Sequence, residues 1–161
     1  MMELLIKKLS FNQRPIPLPV EYRPMYKIAL IVMILKYCCR AETSSLLKLH
    51  LLSWSLGSEK NMKELHSYIT SNFQTEFSVW GIEPALNRAL QLAVAEGICD
   101  IIDGKNYKLT EKGDKFFEMI KADKELFDSE KYFLSYVGKN HITDNRIKAM
   151  TQKWNIFNVE N

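Results

Sequence analysis

Pro84-Ala85-Leu86-Asn87-Arg88-Ala89-Leu90-Gln91-Leu92-Ala93-Val94-Ala95-Glu96-Gly97-Ile98-Cys99-Asp100-Ile101-Ile102-Asp103-Gly104-Lys105-Asn106-Tyr107-Lys108-Leu109-Thr110-Glu111-Lys112-Gly113 is the stretch on which the fold turns. Its first half predicts a helix: Pro84 suits the first helical turn, and Leu86, Leu90, Ala93 and Val94 recur at the spacing of one helical face. Gly97 stands where a left-handed C-terminal cap is needed. Ile98 to Ile102 and Asn106 to Leu109 are short strand-like runs around Asp103-Gly104, one of the strongest local hairpin signals. Thr110 then caps a helix from Glu111 to about Ala122 that should bury Phe116, Phe117 and Ile120.

Working back from this stretch, Met62, Leu65, Ile69 and Phe73 predict a helix from Glu59 to Ser71, followed by a connector over Gln74 to Gly81. A further helix is expected after Thr43 or Ser44 as cap, running to Leu56, although Leu47 to Leu51 alternates with period two and could also pass for a strand. Pro24 opens a helix to about Arg40 that is apolar on nearly all sides and should lie at the centre of the core. Before it, Met1 to Tyr22 holds three of the five prolines in Arg14-Pro15-Ile16-Pro17-Leu18-Pro19, a spacing that forbids helix and favours an extended arm. Downstream, Ser129 is expected to cap Glu130 to Val137, with Tyr132, Phe133, Tyr136 and Val137 inward. Thr143 is expected to cap Asp144 to Trp154, leaving Asn158 to Asn161 frayed. The division is therefore an arm over 1–22 and one domain over 23–161.

Helices followed by a two-stranded hairpin and another helix form the winged-helix arrangement of the helix-turn-helix group. The fold class expected is mainly α: a winged-helix core with one β-hairpin wing, extra N- and C-terminal helices and the proline-rich arm. Ala95-Glu96-Gly97-Ile98 followed by Tyr107-Lys108-Leu109-Thr110-Glu111-Lys112-Gly113 resembles the helix-then-wing signature of many bacterial winged-helix proteins, over about 40 residues. A second resemblance runs along the whole chain, from Arg14 to Pro19, through Tyr26 to Leu30 and Lys36-Tyr37-Cys38, to Ser45 to His50 and the winged helix. It is similar to the small middle component of bacterial ABC-three-component, or Lamassu-type, anti-phage systems. That resemblance implies a non-catalytic subunit that bridges or braces an SMC-like ATPase and helps hold an effector such as a nuclease.

Charge weighs on whether such a fold would read DNA. A reading helix needs Arg, Lys, Asn or Gln for base edges and further cations for phosphates. The helix at Pro84 offers Asn87, Arg88 and Gln91, and the wing adds Lys105 and Lys108, which are the candidate DNA-contacting residues. Ala41 to Thr110 nevertheless carries six Lys and Arg against eight Asp and Glu, the opposite of what phosphate contact favours. A DNA-binding transcriptional regulator is thus the alternative reading. The basic excess lies in the first 40 residues, where Lys7, Lys8, Arg14, Arg23, Lys27, Lys36 and Arg40 face Glu3 and Glu21, and these charges read as solvated or snorkelling. Partner contact is assigned instead to Arg14, Pro15, Ile16, Pro17, Leu18 and Pro19 and to Trp80, which stands before Gly81 in the connector.

No catalytic constellation emerges. His50, His66 and His141 fall in separate elements, and Cys38, Cys39 and Cys99 are odd in number, as suits small buried thiols in a reducing compartment. A Cys38, Cys39 and His50 metal site is conceivable, but burial of the thiols is the preferred reading. The six glycines are scattered rather than gathered into a phosphate loop, so no cofactor is expected and any ATP hydrolysis belongs to a partner. The longest apolar run, Ile28 to Leu35, is too short to span a bilayer, and Lys7 and Lys8 are followed by prolines rather than a signal-peptide core. A cytoplasmic protein without membrane contact is the expectation.

Overall fold

The computed structural model of the chain describes residues 23–75 and 83–160. The arm and Trp80 lie outside them. Helix α1 (Pro24–Cys38) is followed by a 3-10 turn at Arg40–Glu42, strand β1 (Thr43–Ser45), α2 (Leu46–Ser55) and α3 (Glu59–Thr70). Then come α4 (Pro84–Ala95), β2 (Cys99–Ile102), β3 (Asn106–Leu109), α5 (Glu111–Ala122), α6 (Asp128–Val137) and α7 (Asp144–Glu160). The architecture is mainly helical, with one small antiparallel sheet.

Every residue of α1 from Lys27 to Leu35 is buried, because α2, α4, α5 and α6 all pack against it. A helix apolar all round must be enclosed in this way. The other helices are amphipathic and turn single faces inward: Leu86, Ala89, Leu90 and Ala93 from α4, Phe116, Phe117 and Ile120 from α5, Phe133, Leu134 and Val137 from α6. Tyr132 is a correction to the inner face expected of α6, since it is 82% exposed. Phe133, one position on, takes the inward direction.

The stretch from Pro84 to Gly113 folds as its local chemistry dictates. After α4, the Gly97 N–H donates to Val94 O at 3.1 Å and the Ile98 N–H to Ala93 O at 2.8 Å, closing a Schellman cap on Gly97 at φ +77°. Asp103 and Gly104 both have positive φ, 55° and 68°, as a tight hairpin turn requires. The Thr110 hydroxyl accepts the Gly113 N–H at 3.1 Å as the cap of α5 and donates to Gly97 O at 2.5 Å, tying the helix to the base of the hairpin.

The sheet corrects the expectation of a hairpin alone. Thr43–Ser45 is drawn out as a third strand, giving the order β1-β3-β2 with Thr43 opposite Lys108 and Ser45 opposite Asn106. Because these residues are used as strand, α2 is capped one position later than expected: the Ser45 hydroxyl accepts the Lys48 N–H at 3.3 Å. Two C-terminal boundaries also move. α6 starts at Asp128 after Phe127 in the left-handed region, with no side-chain cap from Ser129. α7 does begin after Thr143, whose hydroxyl accepts the Arg146 N–H at 3.2 Å, but it runs on to Glu160 because nothing after Trp154 breaks a helix. Conversely α1 stops at Cys38 rather than Arg40, since Cys39 is extended.

The early cations are also not all solvated. Lys27, only 3% exposed, pairs with Glu83 at 2.7 Å, joining α1 to the start of α4. Lys36 holds Glu42 at 2.9 Å and Asp114 at 2.6 Å, and these two hydrogen bonds push its ammonium up to about 12. Among the described residues no helix is long and apolar enough to cross a membrane.

Candidate functional site

The residues singled out for DNA contact divide into three groups. Arg88 and Gln91 are exposed on α4 and, being three apart, share one face. Lys105 is exposed beside the hairpin turn, and Lys108 is exposed on β3 directly opposite Asp100. Asn87 is turned to another use. The buried His50 accepts the Glu83 N–H on Nδ1 at 3.2 Å, so its proton lies on Nε2 and is donated to Asn87 Oδ1 at 3.0 Å. That bond fastens α2 to the first turn of α4 and engages the amide that base-edge contact would need. Burial holds the His50 imidazole below its ordinary value, against the opposing pull of the Asn87 bond.

A cleft of about 350 Å³ opens on another side, between β1, the start of α2 and the segment joining α6 to α7. Three cations from separate parts of the chain line it: Arg40 from the 3-10 turn, Lys48 from α2 and Lys139 after α6. One carboxylate, Asp144, shares the lining. Lys48 is 6% exposed, and its ammonium donates to Cys38 O at 2.7 Å. Arg40 donates to Asn140 Oδ1 at 2.7 Å, while Ile142, fully buried, and the His141 Nδ1 bond to Val137 O at 2.7 Å fix the joining segment. Sequence reasoning missed this cleft. Its one local signal is a lysine set between Leu47 and Leu49 on the inward side of an apolar helix.

The thiols are all buried, as read from the sequence. Burial pushes Cys38 and Cys99 up to about 12, and Cys39 is raised for the same reason. They are thus protonated at neutral pH and are poor nucleophiles. Among the described residues, no three His, Cys, Asp or Glu side chains gather as a metal site would require. The arm residues Arg14 to Pro19 and Trp80, assigned to partner contact, fall outside the described residues. Comparison of the chain with family models, curated proteins and solved structures finds no match.

Proposed function

We propose that this chain is a non-catalytic winged-helix accessory subunit that braces an SMC-like ATPase and its effector in a bacterial anti-phage defence complex. The observation that carries the reading is the character of α4. Where a DNA-reading helix would present several cations and free amides, it exposes Arg88 and Gln91 while Asn87 is held by His50. A single arginine supplies too few phosphate contacts for firm binding at physiological salt. The winged-helix assignment is supported by the position of α4 directly before the hairpin, and by β1, which leaves the chain after α1 and joins the hairpin at its second strand.

Selection from random duplex DNA separates this reading from a transcriptional regulator. The full chain should bind DNA weakly and without sequence preference. A tight, specific site lost in Arg88→Ala would replace the accessory role with regulation, through α4 and the exposed Lys105 and Lys108. Gene neighbourhood supplies the partner to test: an SMC-like ATPase encoded alongside should co-purify with the full chain, and failure to do so removes the bracing role.

A further inference from the structure

We infer that the cleft between β1, α2 and the segment joining α6 to α7 is a binding site for a small phosphate-bearing ligand of mononucleotide size. This goes beyond the accessory role and does not depend on it. Arg40, Lys48 and Lys139 lie far apart in sequence, yet the fold brings them to one concavity where a lone carboxylate, Asp144, cannot balance them. Like charges gathered in this way repel one another, and a bound anion relieves that cost.

Lys48 is the centre of the case. A buried ammonium is expensive unless it is paired and hydrogen-bonded. Lys48 has three donors and spends one on a neutral carbonyl, that of Cys38, and among the described residues no carboxylate lies within ion-pair distance of it. Lys27, the other lysine buried among the described residues, has its carboxylate in Glu83. An anion in the cleft would give Lys48 what Glu83 gives Lys27. The surroundings suit a phosphate: the caps of α2 and α7, Ser45 and Thr143, both line the cleft, so that two helix N-termini lie at its edge, that of α2 free of any acidic residue in its first turn. Thr43 and Asn106 add neutral polar residues to the lining. A volume of about 350 Å³ is at the lower end of small-molecule sites and admits one nucleotide or sugar phosphate.

Calorimetry on the full chain with AMP, pyrophosphate and adenosine tests the assignment. AMP and pyrophosphate should bind saturably below millimolar concentration and raise the melting temperature, while adenosine should do neither. Lys48→Met and the exposed Lys139→Gln should each weaken AMP binding by about tenfold, and Asp144→Asn should tighten it by removing a repulsive charge. Lys139→Gln alters an exposed side chain and keeps the test valid if Lys48→Met fails to fold. The inference is overturned if neither phosphate saturates at millimolar concentration, if adenosine binds as well as AMP, or if Lys139→Gln leaves affinity unchanged. Capture of a short DNA duplex through Lys139, with no binding of AMP or pyrophosphate, would equally overturn it by making the cleft a nucleic-acid contact.

Discussion

Neutralising Glu83 should destabilise the protein much more than neutralising its partner Lys27. The Lys27 side chain is 4% exposed and that of Glu83 is 31% exposed, with 2.7 Å between Nζ and Oε1. Glu83→Gln leaves a buried ammonium beside a neutral amide. Breaking a fully buried pair costs about 3–5 kcal/mol, and partial solvation of this site reduces the expected loss to about 2 kcal/mol. Lys27→Met keeps the stem that packs in the core and leaves a carboxylate that water still reaches, so it should cost about 0.5 kcal/mol. The double variant should then lie within about 0.5 kcal/mol of Lys27→Met alone, because the orphaned charge is gone. Urea unfolding followed by helical circular dichroism reads all three. With a slope of about 2 kcal/mol/M, Glu83→Gln should lower the midpoint by about 1 M. Equal losses in the two single variants, or a double variant that sums them, would refute the pairing as the source of the stability.

Acid should act through His50, whose folded-state value is depressed by burial. Its contribution to stability is complete above the ordinary value of about 6.5 and is lost as pH falls below it, because the unfolded chain takes the proton first; the urea midpoint should fall from pH 7 to pH 5 more steeply in the wild type than in His50→Gln, and parallel profiles would exclude the histidine. Gly113→Ala should lower the melting temperature by the equivalent of about 2 kcal/mol, although alanine is the better helix former by about 1 kcal/mol. A Cβ there would meet Ile98 O and stand 2.5 Å from Leu109 Cδ1, so a raised melting temperature would show that α5 can move off the hairpin. If the proposed role holds, a chain beginning at Arg23 should keep cooperative melting while losing most of its affinity for an SMC-like ATPase encoded alongside, since a proline-rich sequence has little ordering entropy to lose on binding; unchanged affinity would place the interface on the folded domain.

The sequence reads well where structure is decided by neighbours along the chain. Asp103-Gly104, the Gly97 cap and the Thr110 cap each act within a few residues, and the hairpin and α5 stand where those signals put them. β1 could not be seen in this way. Three residues are too few for alternation to show, and what makes them a strand is pairing with Asn106 to Lys108, remote in sequence. Asn87 looked free because its partner, His50, lies 37 positions away. The cleft was illegible for a related reason: Arg40 and Asn140 are 100 positions apart, and only folding sets Lys139 beside Lys48. Lys48 itself sits in the one stretch where helical and strand periods compete.

The enclosure of α1 sets a problem of timing during synthesis. Its 15 residues emerge from the ribosome long before the helices that cover them, and the last of its main neighbours, α6, ends at Val137. At roughly 5–20 residues per second, the intervening stretch of about 100 residues takes about 5–20 s to make. Throughout that interval the most apolar segment of the chain has only part of its cover, first α2 and then α4 and α5, and it is fully enclosed only when α6 arrives. A nascent chain stalled before Val137 therefore leaves the α6-facing side of that helix open to its neighbours.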